Sequence, residues 1–269
     1  MGRGNLGRSL ERAFRAAGHT ASLLPARTAF TELPSFGVVF LAVPDHAVGE
    51  VAANIARLKP SRRLSFVHVS GALGLGALDA LRDHPLGSFH PLQSFPAPRD
   101  PRAFKGITVA VDASTPALMR RLRVLARAIG AIPKRVGDED RVLYHAAAVY
   151  ASNFVDVLVA EAVRLLGEIG WTEEEATKGL LPLVEGAVAG IRRRGPVQAL
   201  TGPIRRGDAD TVQRHLEVLD RLDRGAEYRM LGKIALEIAV EAGLEPAAAE
   251  RVRRALTAKP AATRRRRRA

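Results

Sequence analysis

The chain contains no cysteine in its 269 residues, which excludes disulfide cross-links and thiol nucleophiles. It has no run approaching the ~18–20 continuous apolar residues that cross a membrane. No apolar stretch followed by a small-residue cleavage site opens it, so no secretory signal is expected. These absences make the cytoplasm the expected compartment and leave a membrane out of the expected partners. The seven histidines are scattered, with no H-x₃-H pair or carboxylate cluster at ligand spacing, so no metal site is expected. Neither a G-x-S-x-G nor a P-loop pattern occurs.

What is present is a globular balance, 47% hydrophobic and 26% charged. Of the formal net charge of +13, the run Arg264–Arg268 supplies five and the rest of the chain the remaining 8. Residues 258–269 read as a disordered basic tail, whose contact with nucleic acid would be non-specific. Up to residue 136 short apolar runs alternate with helical patterns. GVVFLAV (37–43) and LSFVHV (64–69) read as buried parallel strands, with TASLL, LGSF and ITVAV (107–111) as further strands. Helices are expected near 6–17, 46–58, 73–82 and 116–130. Residues 137–257 show only helical spacing, first in one long run that stops at Gly170. Thr172 follows with Glu175 three residues on, a capping-box pattern. The expected architecture is a Rossmann-type doubly wound parallel sheet (1–136) followed by an all-helical domain (137–257).

Gly2, Gly4 and Gly7 spell G-x-G-x-x-G, with Asn5 opening the helix that follows. In a dinucleotide fold this turn leaves a β-strand and presents a helix N-terminus to a pyrophosphate. Here the first strand is missing from the sequence. In the usual order it lies mid-sheet, between the second strand and the strand after the third helix. Its loss would orphan two backbone edges at about 1–3 kcal/mol per buried group, so a native start upstream of Met1, or a rearranged sheet, is expected. Twelve residues, PARTAFTELPSF, separate TASLL from GVVFLAV, too few for a full crossover helix. About 20 residues past the glycines, where an acid would read a ribose hydroxyl, stand Arg27 and Thr28. A guanidinium there suits a 2′-phosphate, so NADP is expected over NAD.

VFLAVPDHAV, HVSGALG, SFHPLQSF, LYHAAAVYASNF and ALTGPIRRGD occur in that order. Together they resemble the Rossmann-like oxidoreductases with a C-terminal helical domain of unknown function (number 2520). These are relatives of pyrroline-5-carboxylate reductase, prephenate dehydrogenase and the β-hydroxyacid dehydrogenases. The resemblance runs from Gly2 to about Ala242. It implies an NADP-binding domain, a helical domain that makes a homodimer, and an active-site cleft between them. The missing first strand and the shortened crossover depart from that pattern.

The resemblance also places Val43 and Pro44, at one strand end, and Ser70 and Gly71, at the next, along the cofactor. Turn chemistry is the plainer reading of all four. His90 resembles the His-Pro element that prephenate dehydrogenases hold near the nicotinamide, and an imidazole there can move a proton. Tyr144 and His145 open the long helical run, on which His145, Val149, Ser152 and Asn153 share one face at 100° per residue. In the hydroxyacid dehydrogenases a lysine and an asparagine occupy the corresponding helix. No lysine occurs here, so proton transfer falls to His90 or His145, with Asn153 beside them and Ser152 toward substrate. Thr201 and Arg205, in ALTGPIRRGD, are the remaining substrate candidates, and Arg205 with Arg206 suits an anionic group. The expected function is an NADP-dependent oxidoreductase acting on a small substrate. The rivals are a non-catalytic dinucleotide-binding or regulatory protein and a nucleic-acid-associated protein.

Overall fold

The computed structural model describes residues 1–25 and 33–258. Arg27, Thr28 and the arginine tail lie outside the described residues, so the expectations placed on them rest on sequence. Contacts divide the chain into two compact units, Met1–Leu158 and Val159 onward.

In the first unit α1 (Asn5–Ala16) buries Leu10, Ala13 and Phe14 along one stripe. It ends where Gly18 takes φ +84° and the His19 amide bonds back to Phe14 O, a left-handed stop that suits glycine. The sheet runs β1 (Gly37–Leu41), β2 (Leu64–His68), β3 (Leu86–Pro91), β4 (Thr108–Ala113) and β5 (Ile132–Arg135), adjacent in that order. Period-2 alternation divides its side chains. Val67, Phe89, Val109 and Val111 meet α1 and α3 (Pro116–Ala128) on one face. Val39, Leu41, Leu64 and Phe66 meet α2 (Asp45–Arg57) and a 3₁₀ helix, Leu75–Leu81, on the other. Helices on both faces make the sheet doubly wound, as the sequence predicts.

Three details depart from the expectation. β3 and β4 are antiparallel, while the other three pairings are parallel. The chain between them supplies only the four-residue 3₁₀ turn Pro101–Phe104, too little to cover a parallel crossover, so it turns back on itself. β5 was not among the expected strands, and its residues Pro133, Lys134 and Arg135 lack a strand's apolar alternation. An edge strand tolerates proline and is protected by cations. TASLL is not a strand. It is joined to the body by Gly2 N–H donating to Leu24 O (3.0 Å). Met1 meanwhile donates its amine to Phe40 O and accepts from the Ala42 amide. Residues 1 and 2 thus stand between Leu24 and β1, the slot of the first strand, and two residues give TASLL no ladder to join.

The long helical run is divided into α4 (Arg141–Ala151) and α5 (Asn153–Gly167). Ser152 breaks it with φ −131° and ψ −72°. Serine and asparagine hydroxyl and amide groups compete for backbone partners, which weakens a helix at such a pair. The first compact unit continues past residue 136, the expected boundary, because α4 is fastened to the sheet by a buried Arg141.

The second unit is helical throughout its described residues. α6 (Glu173–Ala199) starts at the expected capping box, with Thr172 Oγ1 accepting from the Glu175 amide and Glu175 Oε2 from the Thr172 amide. Gly195, at φ +75°, interrupts α6 near its end. α7 (Pro203–Arg206), α8 (Ala209–Arg221), α9 (Gly225–Glu241) and α10 (Pro246–Thr257) close a core of Val212, Leu216, Leu236, Val252 and Leu256. By contrast α4, α5 and α6 each carry exposed apolar side chains, among them Leu143 (74%), Val157 and Leu183. The stretch Asp138–Gly167 is apolar and long enough to cross a membrane by length and composition.

Candidate active site

The carboxyl ends of β1 and β2 carry the dinucleotide turn and its neighbours. Gly2, at φ +101°, packs so tightly on Ala42 that a Cβ would strike its carbonyl oxygen, and a Cβ on Gly7 would strike Gly2 O. Gly4 differs: a Cβ added there would meet no heavy atom within 4 Å. Protein packing explains the first and third glycines, whereas the second opens onto free space. The three roles of a pyrophosphate turn are a tight bend, close ligand approach and close helix packing. These glycines supply all three. The first turn of α1 holds no acidic residue, so its unpaired amides face no competing anion. The residues present therefore fit a dinucleotide. Val43 packs against Gly2, and Pro44 N-caps α2.

Two expected cofactor contacts are otherwise employed. The Asn5 amide donates to Phe95 O (3.1 Å) and Pro96 O (2.8 Å), tying α1 to the loop after β3. Ser70 Oγ donates to Asp45 Oδ2 (2.7 Å) and accepts from the Ala72 and Leu73 amides (3.1 and 3.0 Å). With one donor and two lone pairs, that hydroxyl is saturated. At Ser70 the turn reading describes the contacts observed.

His90 and His145 come together over Gly71. A Cβ on Gly71 would lie 2.8 Å from His145 Nδ1 and 3.0 Å from His90 Nε2. The ring centroids are 6.2 Å apart at 82°. Glycine at 71 thus leaves room for the two rings as well as bringing backbone to the site. His90 Nδ1 lies 2.9 Å from the Tyr144 hydroxyl, a partner the sequence analysis gave no role. Burial pushes the His90 imidazole down from 6.5 to about 4, helped by His145 and the Arg141 cation. Burial also pushes the Tyr144 phenol up to about 12, against the pull of Arg141. At neutral pH both are uncharged and share one proton across their contact. His145 Nδ1 is buried without a hydrogen-bond partner among the described residues. Two imidazole nitrogens therefore converge on one spot, able to donate to an oxygen or accept a proton from a hydroxyl.

Beneath them lie residues that sequence reasoning missed. Arg141 is fully buried. It donates to Ser70 O (3.2 Å), Ser88 Oγ and Val136 O (3.4 Å), and lies 3.8 Å from the Asp138 carboxylate. Arg141, Tyr144 and His145 follow i, i+3, i+4 spacing, one face of α4. That spacing was the available signal. His68, at the end of β2, is fully buried, and neither ring nitrogen has a well-formed hydrogen bond among the described residues. Burial and then Arg141 push it down to about 4.

Other candidates have surroundings of their own. Ser152 and Asn153 are exposed and bond to each other (3.1 Å). The break at Ser152 shifts the helical phase that would have aligned them with His145. In the second unit Thr201 is exposed, and Arg205 donates to Ala242 O (2.8 Å), closing the end of α9. The capping contact occupies one of its guanidinium nitrogens. Among the described residues no cluster of three metal-ligating side chains occurs.

Residues 107–235 match the family described as a domain of unknown function (DUF2520). No curated protein matches the chain. Among solved structures, BF3122 from Bacteroides fragilis, described as a candidate NADP oxidoreductase, is similar with TM-score 0.71 and 23% identity, over 89% of this chain and 96% of that one. Protein TM1727 from Thermotoga maritima gives TM-score 0.68 and 25% identity, over 79% and 82%. A pyrroline carboxylate reductase from Plasmodium falciparum, solved with NADP bound, gives TM-score 0.55 and 15% identity, over 96% and 98%. Residues 107–235 thus resemble that family, and the fold is the Rossmann-like one of these solved structures.

Proposed function

We propose that the protein is an NADP-dependent oxidoreductase acting on a small substrate at the carboxyl ends of β1 and β2. The carrying observation is the open face of Gly4 at the start of α1 together with the two imidazole nitrogens converging over Gly71. The amides of the 2–7 turn would hold the pyrophosphate, and Val43 and Pro44 would flank the dinucleotide. A bound nicotinamide supplies hydride transfer, chemistry that no side chain provides. His90, kept neutral by burial and tied to Tyr144, would orient the reacting oxygen or nitrogen and exchange its proton. His145 would present its unpartnered nitrogen to the same group. The choice of NADP rests on Arg27 in the sequence. A second copy of the chain covering the exposed apolar side chains of α4–α6 is part of the same reading.

Thermal melting with NADPH, and with NADH in parallel, tests the cofactor. At about 100 times the dissociation constant a ligand adds about 2.7 kcal/mol, a rise of several degrees. A rise with NADPH that exceeds the rise with NADH is expected. His90→Ala and His145→Ala should keep that rise while losing turnover of a cognate substrate. No rise with either nucleotide would refute the reading, and a rise without any turnover across carbonyl and imine substrates would favour a non-catalytic dinucleotide-binding protein.

A further inference from the structure

We propose that Arg141 is a positioning residue whose forked guanidinium holds Tyr144 and His145 in register against His90. This rests on the reading of the paired imidazoles as the reacting groups. Arg141 is the first residue of α4, and Tyr144 and His145 lie one turn further along the same face. Its nitrogens reach three separate parts of the fold: Ser70 O beyond β2, Ser88 Oγ within β3, and Val136 O just after β5. His90 sits two residues beyond Ser88 on the same strand, so both side chains share one face of the sheet. One guanidinium therefore fastens the helix that carries one imidazole to the strand that carries the other. Gly71, the residue over which the two rings meet, directly follows the Ser70 carbonyl that Arg141 holds.

A lysine at this position would keep the charge but could not span acceptors lying in several directions. The cation is also not free to take an anionic substrate, because both terminal nitrogens donate to protein oxygens and the whole side chain is buried. Position and charge are separable experimentally. The groups facing His90 are Arg141, Tyr144 and His145 on α4, Asp45 at the start of α2, and His68 at the end of β2.

The test follows histidine ring resonances by NMR across pH in the full chain, for the native protein, Arg141→Lys and Ser88→Ala. Both variants keep the positive charge, and neither removes an imidazole. If the fork positions the pair, Arg141→Lys raises the His90 midpoint from about 4 by a unit or more, as water reaches the ring. The contacts between the Tyr144 and His90 rings weaken with it. Ser88→Ala, which deletes a single acceptor, moves the midpoint in the same direction by less. An unchanged His90 midpoint in folded Arg141→Lys would overturn the proposal, since charge alone would then suffice. If Arg141→Lys does not fold, an unchanged profile in Ser88→Ala overturns it. Neither readout needs cofactor or substrate, so failure here is distinct from failure to bind NADPH.

Discussion

Replacing Gly71 by alanine adds one methyl group where two imidazoles already stand. The new Cβ would lie 2.8 Å from His145 Nδ1 and 2.9 and 3.0 Å from Cε1 and Nε2 of His90, whereas ordinary contact begins near 3.4 Å. The rings must withdraw by roughly half an ångström, and both are held, His90 by Tyr144 and His145 by its place on α4. Overpacking of this kind costs about 1–3 kcal/mol, or several degrees of melting temperature at this chain length. A double-mutant cycle separates steric conflict from a general cost of replacing glycine. Gly71→Ala, His145→Ala and the double variant are melted under the same conditions. Removing the His145 ring relieves the 2.8 Å contact and lets the methyl shift away from His90, so the double variant should recover about 1 kcal/mol relative to the sum of the singles. Additivity within about 0.5 kcal/mol would refute the packing argument, as would a Gly71→Ala protein as stable as the native one.

Two further outcomes follow from burial. His68 is held down to about 4 by burial and binds its proton near 6.5 when unfolded. Its contribution is therefore whole above about pH 6.5 and is lost as pH falls toward 4. The loss is about 3 kcal/mol for this ring. Denaturant melts at pH 7 and pH 4.5 measure it, and an acid limb identical in His68→Leu would rule the account out. The exposed apolar side chains on α4–α6 should give a sedimentation mass twice the chain's 28.9 kDa. Leu143→Asp with Val157→Asp should return it to a monomer. A native protein that sediments as a monomer, or that floats with lipid vesicles, would contradict pairing through them.

The elements with strong local signals were legible in the sequence. The alternation of buried strands and helices gave the doubly wound sheet, and Thr172 with Glu175 marked the start of α6. The glycine turn was legible because each glycine answers to a local demand. Where partners lie far along the chain, the sequence was silent. β5 was hidden by Pro133, since only its place at the sheet edge makes a proline acceptable there. The antiparallel β4 depended on what the 92–107 segment could not cover. His90 and His145 were found as separate candidates, but their meeting over Gly71 requires three segments of chain to converge. Arg141 looked like one cation among many until its acceptors just past β2, on β3 and just past β5 came together around it. Ser152 and Asn153 fell out of line because a single break in a helix turns everything beyond it.

The bonds from Asn5 to Phe95 and Pro96 have a mechanical consequence. The chain between His90 and Phe95 is a short span pinned at both ends, by the Tyr144 hydroxyl at one and by the fingerprint helix at the other. Such a span has little slack. A displacement of α1 as an anion settles against its first turn must either stretch two hydrogen bonds or be passed along four intervening residues to the imidazole. On the proposed reading, the end of the site that would hold phosphate and the end that would handle the proton are thus joined by a tether as well as by the sheet.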